Sequence, residues 1–339
     1  MHGNPLPIDG RLCLVAGGAG FIGSHLVDRL CASGARVRVL DNFATGKPEN
    51  LSRHQDREGF ELVEGSILDK ETVRRVMARA DFVFNLACLG VRHSILFPEE
   101  NHRVNAQGSL LLLEAARENP ALQAFIQVSS SEVYGSSRAD RMDENHPTFP
   151  HTVYGASKLA GEAYARAYHL TYGLPAVIIR PFNVFGPRSH FEGDAGEMIP
   201  KSVLRALTRH PILIFGDGGQ ERDFTYVNDT AAAIVEIAES GAFPGETVNI
   251  GSGSSITIRR LAEKIVELAP DTNAGIQYTE ARPGDVRRLL CNMDKLTART
   301  GFKPQVSLAE GLKKVIGWFR ENEDRLDDWF RSDTGKNWQ

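Results

Sequence analysis

A glycine-rich turn follows directly after the first apolar run of the chain. Gly17, Gly20 and Gly23 lie three residues apart, between the apolar run 11–16 and the start of an amphipathic segment. Glycines at this spacing permit a tight strand-to-helix turn and let backbone amides approach a pyrophosphate at the helix amino terminus. The turn therefore predicts an α/β fold that begins with a dinucleotide-binding unit.

An acidic residue stands where the second strand of such a unit ends. Asp41 follows the apolar run 36–40 and lies roughly 20 residues beyond the glycine turn, as a ribose-binding carboxylate does in such folds. A carboxylate here accepts hydrogen bonds from the adenosine ribose and repels a 2′-phosphate, so the expected cofactor is NAD and not NADP. Alternatively, Asp41 and Asn42 only cap a turn.

The first half of the chain alternates apolar runs with amphipathic segments. The expected strands are 11–16, 36–40, 60–63, 82–86, 124–129 and 176–180. The expected helices are 21–32, 70–78, 101–118 and 153–171. Continuous apolar strands are typical of sheets covered on both faces, so the pattern predicts a doubly wound parallel sheet of the Rossmann type.

After residue 180 the pattern changes to a stretch rich in glycine and proline. A smaller α/β lobe is expected from helices at 201–209, 258–268 and 308–322 and a strand at 212–215, with a polar tail at the end, and a further strand is expected at 247–250. We therefore predict an NAD-binding domain of residues 1–180, to which 224–250 returns. Residues 181–223 and 251–339 are expected to form the substrate-binding lobe.

Composition excludes several classes of function. The net charge of −4 gives no basic field for nucleic acid. No signal peptide and no run of about 20 apolar residues is found, so a cytoplasmic protein without a membrane role is expected. The four cysteines have no metal-type or redox-type spacing, so they are expected to be reduced packing residues and no metal site is predicted.

A tyrosine and a lysine lie four residues apart in an expected helix. Tyr154 and Lys158 then share one helix face. Tyrosine has an ordinary pKa near 10, so a base that works near neutrality needs a drop of about 3 units, or about 4 kcal/mol of selective phenolate stabilisation. Lys158 and the positive charge of oxidised nicotinamide are the available sources. By spacing alone, the pair is more typical of a solvated helix face.

Six motifs occur in a fixed order along the chain. They are the segments 17–23, 128–135, 154–158, 180–183, 222–227 and 282–285. In this combination the chain resembles, over nearly its whole length, the extended short-chain dehydrogenases/reductases that act on nucleotide sugars. The resemblance implies a nucleotide-diphosphate sugar as substrate, NAD as cofactor and a homodimer, with the helices 101–118 and 153–171 at the interface or, alternatively, packed on the sheet.

The resemblance also implies roles for the catalytic residues. In this family a hydroxyl at the position of Ser130 shares a hydrogen bond with the sugar 4-hydroxyl, Tyr154 removes its proton, and hydride passes from C4 to NAD. Lys158 also binds the nicotinamide ribose. Ser131 follows in the same run, although a hydroxyl that bonds its own backbone is an alternative for Ser129 and Ser131.

A set of cofactor contacts is carried over position by position. The implied residues are Gly17, Gly20, Phe21, Ile22, Gly23, Asp41, Asn42, Ser66, Ile67, Leu86, Ala87, Tyr154 and Lys158. Relatives commonly carry Asp in place of Ser66, where it bonds the adenine amino group, so this contact is expected to be weaker or absent.

The substrate contacts come from two loops and the smaller lobe. The implied residues are Val91, Arg92, Ser94, Asn183, Arg222 and Arg282. Arg222 and Arg282 match the arginines that hold the two phosphates, a task suited to the guanidinium fork. Asn183 matches a contact to the sugar-phosphate region, or else it is a turn residue. His93 remains open between a substrate contact and a structural histidine.

Glu132 favours one reaction over its rivals. In the 4-epimerases of this family the position is usually small or hydroxylic, whereas dehydratases place Glu there to take the C5 proton. Ser130, Ser131 and Glu132 resemble the Thr-Ser-Glu run of GDP-mannose 4,6-dehydratases. The commoner run has Asp where Ser131 stands, so Glu132 would both abstract and donate the proton, which requires a raised pKa.

Three alternatives to a 4,6-dehydratase stay open. A 4-epimerase is the first, and a UDP-glucuronate decarboxylase, which also carries Ser-Glu here, is the second. The third is a protein that senses NAD(H) without catalysis, which has little need of Ser130, Glu132, Tyr154 and Lys158 together.

Overall fold

Seven parallel strands form the central sheet of the computed structural model, which describes residues 5–192, 196–281 and 286–333. The strands are β1 (Leu12–Ala16), β2 (Arg36–Asp41), β3 (Phe60–Glu64), β4 (Phe82–Asn85), β5 (Ala124–Val128), β6 (Ala176–Pro181) and β11 (Thr247–Ile250). Their order across the sheet is β3-β2-β1-β4-β5-β6-β11. This is the order of a Rossmann-type fold, so the predicted fold class is confirmed.

Helices cover both faces of this sheet. They are α1 (Phe21–Ala32), α2 (Lys70–Met77), α3 (His93–Leu96), α4 (Pro98–His102), α5 (Gly108–Arg117), α6 (Val153–Tyr172) and α8 (Val227–Ser240). Along β1, Cys13 and Val15 pack in the cluster that contains α1 and α8, whereas Leu14 and Ala16 pack in the cluster under α2, α5 and α6. Successive side chains of a strand point to opposite faces of the sheet. Because both faces of this sheet are covered by helices, every residue of a strand such as β1 is expected to be apolar.

The sheet changes direction between β1 and β4. The chain moves outward from β1 to β2 and β3 on one side and from β4 to β5 and β6 on the other. The loops that follow β1 and β4 therefore separate at the carboxyl edge and leave a crevice, which is where ligands bind in open α/β sheets.

A second apolar cluster lies in the smaller lobe. Its strands are β7 (Val184–Phe185), β8 (Ile212–Phe215), β9 (Glu221–Arg222), β10 (Thr225–Tyr226), β12 (Ile256–Thr257), β13 (Ile276–Thr279) and β14 (Arg288–Leu289). Its helices are α7 (Met198–Leu207), α9 (Ile258–Leu268), α11 (Leu308–Arg320) and α12 (Leu326–Phe330), while α10 (Asp294–Thr300) packs beside β11. The domain boundary near residue 180 stays a prediction, with α8 packed on α1 and β11 at the edge of the large sheet.

Two segments differ from the predicted elements. The expected helix 101–118 is interrupted by a π-helical turn, Arg103–Gln107, between α4 and α5. Part of the expected polar tail after residue 322 instead forms α12. The ring centres of Trp329 in this helix and of Phe191 lie 4.6 Å apart. Hydrophobic spacing continues through a π turn and so does not reveal it.

Within the described ranges, none of the helices combines the length and the apolar character that crossing a membrane requires.

A buried ion pair joins β6 to α6. Arg180 donates from Nε and Nη2 to the two carboxylate oxygens of Glu162, at 2.9 and 2.6 Å. Glu162 is fully buried, and the Arg180 guanidinium also lies 4.6 Å from the ring centre of Tyr134. Removing one partner of such a pair leaves an uncompensated charge in the interior.

We expect Glu162→Ala to lower the free energy of unfolding by about 3–5 kcal/mol, because it leaves the Arg180 guanidinium buried and unpaired. Urea unfolding measures the change. Glu263→Ala is the matched control, since Glu263 pairs with Arg260 on an exposed helix surface and should cost less than about 1 kcal/mol. Equal losses in the two variants would contradict this assignment.

Candidate active site

The glycine turn packs against the loop after β4. Gly17 has φ +79°, and a Cβ placed on it would lie 2.6 Å from the amide nitrogen of Ala87 and 2.8 Å from the carbonyl carbon of Leu86. A Cβ on Gly23 would overlap the carbonyl oxygen of Gly17. Gly20 precedes α1 as its N-cap residue. The predicted turn therefore lies at the crevice, with the amino terminus of α1 beside it.

The side chains of Phe21 and Ile22, which follow Gly20, pack in the apolar interior. Phe21 is buried in the apolar cluster of the smaller lobe, and Ile22 contacts the clusters of both lobes. Any contact of these two residues with a cofactor therefore comes from their backbone amides at the start of α1.

Asp41 is held at the end of β2 by backbone amides. Its Oδ2 accepts a hydrogen bond from Ala19 and its Oδ1 accepts one from Phe43, both at 2.9 Å. Burial raises the pKa of this carboxyl, and the amide hydrogen bonds oppose the shift. Asn42 is exposed and accepts a hydrogen bond from the amide of Ala44. Asp41 thus supports the glycine turn and retains acceptor capacity for a ribose.

Ser66 and Ile67 lie in the loop after β3. The hydroxyl of Ser66 accepts a hydrogen bond from the amide of Leu68 at 3.1 Å, so it supports its own turn. Ile67 is buried, and a Cβ on Gly108 would overlap its side chain. The predicted weakness of an adenine contact at Ser66 stays a prediction.

Ser130, Glu132 and Tyr154 lie together at the end of β5. The Ser130 hydroxyl accepts a hydrogen bond from the amide of Glu132 at 3.2 Å and also hydrogen-bonds the phenol of Tyr154. A Cβ on Gly155 would lie 2.9 Å from the carbonyl oxygen of Glu132, so α6 begins directly against this turn. Ser131 is buried, with 4% of its surface exposed.

The side chains around Tyr154 make its phenol a weaker acid. Burial raises the pKa of Tyr154, nearby Cys88, Glu132 and Glu197 raise it further, and the hydrogen bond with Ser130 opposes them. The sequence suggested Lys158 as a source of a lower pKa, but Lys158 is not among the groups with the largest effects on the phenol. A positive charge on a ligand bound near the phenol would favour the phenolate.

Lys158 is a buried ammonium group with 3% of its surface exposed. Among the residues that the structure describes, no acceptor lies within hydrogen-bond distance of its Nζ. A buried charge is stable only when it is paired or hydrogen-bonded. Lys158 therefore fits a ligand that brings acceptors into the crevice, such as the hydroxyls of a ribose.

A buried network of asparagines holds the loop after β4. Asn105 accepts a hydrogen bond from the Leu89 amide at 2.8 Å and donates to the Leu89 carbonyl at 3.0 Å. Asn101 donates to the Leu89 and Gly90 carbonyls, and Ser157 of α6 joins both asparagines. The π turn aims Asn105 at this loop. These positioning residues were missed because a polar residue in a helix pattern suggests an exposed side chain.

The predicted substrate loop has both supporting and exposed side chains. Ser94 is buried and its hydroxyl donates to the carbonyl of Val91 at 2.6 Å, so it holds the turn. Val91 and Arg92 are half-buried. His93 lies 3.3 Å from Glu100 through its Nε2, and its ring packs 5.2 Å from Phe97. These contacts favour the structural interpretation of His93.

The phosphate-side residues are only partly described. The side-chain amide of Asn183 donates to the carbonyl of Asp223 at 3.0 Å, which leaves its oxygen as an acceptor. Nη1 of Arg222 donates to the carbonyl of Val286 at 2.6 Å. Arg282 lies outside the described residues.

Asp223 was missed, although it anchors this region. It is fully buried and accepts hydrogen bonds from the amides of Ser252, Gly253 and Cys291 at 2.8–3.2 Å. Burial raises the pKa of its carboxyl, and these hydrogen bonds oppose the shift. Because Asp223 directly follows Arg222, it fixes the backbone from which the arginine extends.

A family model described as the NAD dependent epimerase/dehydratase family matches residues 13–251. The chain belongs to this family. A putative UDP-glucose 4-epimerase of Methanocaldococcus jannaschii is 34% identical over 313 residues, which is 92% of this chain and 99% of the relative. The extended group that acts on nucleotide sugars was therefore correctly identified from the motifs, and the protein is an enzyme of that group.

Two solved structures resemble this epimerase/dehydratase over nearly its whole length. UDP-glucose 4-epimerase of Thermotoga maritima, solved with UDP-glucose, has a TM-score of 0.86 at 34% identity and covers 92% of this chain and 99% of its own. The dTDP-glucose 4,6-dehydratase DesIV of Streptomyces venezuelae, solved with NAD, has a TM-score of 0.86 at 31% identity and covers 92% and 98%. The cofactor of the family is NAD, which the glycine crevice and the unpaired Lys158 fit.

We expect Gly23→Ala to weaken NAD binding by about tenfold or more, because the added Cβ overlaps the carbonyl of Gly17 and displaces the turn. Calorimetric titration of cofactor-free protein with NAD measures the affinity. Gly317→Ala in α11 is the control, since no described atom outside the backbone of its own helix lies within 4 Å of its added Cβ. Unchanged affinity in Gly23→Ala would show that the turn does not hold the cofactor.

Proposed function

We propose that the protein converts the hexose of a nucleotide-diphosphate sugar through a transient 4-keto sugar and removes water across C5 and C6. The observation that carries this proposal is the cluster of Ser130, Glu132 and Tyr154. It combines a hydroxyl, a carboxyl and a phenol at the carboxyl end of β5, where catalytic groups of open sheets emerge. Relatives named as dTDP-glucose 4,6-dehydratases support the choice of reaction.

The first step is removal of the proton from the sugar 4-hydroxyl. The phenol oxygen of Tyr154 takes this proton, and the hydrogen bond with Ser130 orients both groups. Bound NAD supplies the hydride acceptor for C4 and the positive charge that favours phenolate. Lys158 holds the nicotinamide ribose, which pairs its buried ammonium.

The second step uses the acidity that the C4 ketone gives to the C5 proton. The Glu132 carboxylate takes this proton and passes it to the C6 hydroxyl, which leaves as water. The proton that Tyr154 took from the 4-hydroxyl passes to solvent, and Glu132 takes a proton from solvent and delivers it to C5, while the hydride removed from C4 would return to C6 and complete the 4-keto-6-deoxy sugar. Ser131 is buried and its hydroxyl is a weak acid, so we assign both proton transfers at this end of the sugar to Glu132.

The diphosphate is assigned to the smaller lobe. Arg222 extends beside Val286, and Asn183 offers its side-chain oxygen close to Asp223. A guanidinium binds phosphate oxygens through two parallel hydrogen bonds, which suits this role. We assign the second phosphate contact to Arg282 on its motif alone.

A 4-epimerase is the second candidate. Ser131 stands where the commoner dehydratase run carries an acid, and relatives at 34% and 36% identity are named as UDP-glucose 4-epimerases. In that reaction the ketone rotates and is reduced again at C4, so Glu132 only bonds polar groups around it.

Mass spectrometry of a nucleotide-sugar panel incubated in deuterated water distinguishes the candidates. Loss of one water with deuterium gained supports the dehydratase. Unchanged mass with inverted C4 identifies an epimerase, and loss of carbon dioxide identifies a decarboxylase. Either of the last two outcomes overturns the proposed reaction.

We expect Glu132→Gln to retain NAD and to oxidise C4, seen as absorbance of reduced NAD, while water loss slows by about 10²–10⁴-fold. Tyr154→Phe is the contrasting variant, because without the phenolic oxygen the first oxidation is also lost. Dehydration at the wild-type rate in Glu132→Gln would remove Glu132 from the mechanism.

We also propose that the enzyme is a homodimer that pairs through α5 and α6. Leu170 and Tyr172 at the end of α6 are exposed by 76% and 52%, and Val153 at its start by 41%. In α5, by contrast, Leu112 and Leu113 are buried in the core under the sheet. Light scattering is expected to give twice the chain mass of 37.3 kDa, and the single mass would refute the dimer.

A further inference from the structure

Glu132 lies in a single 3₁₀ turn, Ser131–Val133, between the end of β5 and Tyr134. The start of this turn is fixed by the sheet, because the amide of Ser129 donates to the carbonyl of Ile179 in β6 at 2.7 Å. Tyr134, which follows the turn, lies outside the strands of the sheet. The far end of the turn therefore needs a different anchor.

The side chain of Tyr134 supplies this anchor. It is fully buried, and its phenol donates a hydrogen bond to Oδ1 of Asn249 in β11 at 2.7 Å. Burial raises the pKa of Tyr134 to about 12, so the phenol stays protonated and remains a donor. Its ring packs edge-on against His146, with the ring centres 5.4 Å apart, and the Arg180 guanidinium lies 4.6 Å from its centre. Tyr134 is thus held by β11, β6 and the loop before α6.

Asn249 is a rigid acceptor for this hydrogen bond. It is fully buried, and its side-chain Nδ2 donates to the carbonyl of Met142 at 3.0 Å. Its backbone amide donates to Oε1 of Glu144 at 2.9 Å. The phenol of Tyr134 therefore ends on a part of the large sheet whose own polar groups are hydrogen-bonded.

The backbone around Tyr134 transmits this constraint to the turn. The amide of Tyr134 donates to the carbonyl of Ser131 at 3.1 Å, and the amide of Gly135 donates to the carbonyl of Glu132 at 3.3 Å. Glu132 thus lies between two anchors, which are the sheet before the turn and the buried phenol after it.

We propose that Tyr134 is a positioning residue for Glu132, which holds the turn so that the Glu132 carboxyl meets the C5 proton of the substrate. The inference rests on the proposed function, because it assigns Tyr134 to the second step of that reaction. Ser130 is held by β5 and Tyr154 by α6, so the first step does not depend on the hydrogen bond between Tyr134 and Asn249.

Tyr134→Phe removes this hydrogen bond and keeps the ring that fills the core. The Asn249 oxygen then loses its donor in a buried place, which favours a shift of the turn. A displacement of about 1 Å at a reacting group can cost about 10²-fold in rate. The shift is expected to act on proton removal at C5 and not on oxidation at C4.

Single-turnover reactions with dTDP-glucose, UDP-glucose or GDP-mannose in deuterated water test the proposal. We expect the wild type to dehydrate one of these sugars with little accumulation of reduced NAD. In Tyr134→Phe the absorbance of reduced NAD should appear at the wild-type rate and then accumulate, because water loss slows by about 10–100-fold. A merely structural loss would slow both steps together.

A double variant tests whether Tyr134 acts through Glu132. When Tyr134→Phe is added to Glu132→Gln, the rate of water loss should change by less than about twofold, because the carboxyl that Tyr134 positions is already absent. Asn249→Ala removes the acceptor of the same hydrogen bond and should separate the two steps in the same direction. It replaces Tyr134→Phe if that variant does not fold.

Tyr168→Phe is the matched control, because its phenol donates to Oε2 of Glu114 at 2.6 Å and lies at the other end of α6. Both steps should keep their wild-type rates in this variant, and NAD content and melting temperature show that each variant is folded. Equal slowing of both steps in Tyr134→Phe, unchanged water loss, or effects that multiply in the double variant overturn the role of Tyr134 and leave the proposed reaction in place. Absence of water loss in the wild type overturns the proposed function, and this inference with it.

Discussion

The contact between the glycine turn and the loop after β4 is the constraint on which the site depends. Gly17 lies against the backbone of Leu86 and Ala87, with no space for a side chain and with a positive φ. The contact determines where α1 begins and therefore where its amides point. Cys88 is the next residue of the same loop, and it raises the pKa of Tyr154. The position of this loop therefore affects both the cofactor crevice and the proposed base.

The electrostatics of the crevice connect the proposed base to its cofactor. Two carboxyls and a thiol surround Tyr154, and together with burial they keep its phenol protonated. Lys158 is buried, and no hydrogen bond joins its ammonium to any residue that the structure describes. In the proposed reaction, oxidised nicotinamide would supply positive charge to the phenol, and its ribose would supply hydroxyls to Lys158. Proton removal in the proposed reaction therefore depends on the oxidised cofactor being in place.

The regular elements of the fold were predictable because they have strong local signals. The bounds of α1, β8, β11 and α9 agree with the predicted segments, since each is an apolar or amphipathic run with a clear turn at its ends. The π turn in the predicted helix 101–118 was not predictable, because a π-helical segment is a rare single-turn interruption inside an α-helix. The polar residues that precede Trp329 suggested an exposed tail, so the sequence did not indicate that Trp329 packs against Phe191.

The site was predictable where a motif carries the chemistry, as in the run 128–135 and at Tyr154. It was not predictable where tertiary structure alone brings a residue to the crevice. Asp223 and Asn105 act through hydrogen bonds to backbone groups distant in sequence, which no local pattern encodes.

The residues around the proposed site come from two parts of the chain. Ser130 follows β5 at the carboxyl edge of the large sheet, and Tyr154 lies in α6. Ser157 of α6 forms hydrogen bonds with the asparagine network. Glu197 instead hydrogen-bonds His190, whose neighbour Phe191 is buried against Trp329 near the end of the chain. A change in how α12 packs would therefore act on the segment around Glu197 and leave the cluster of Ser130, Glu132 and Tyr154 in place.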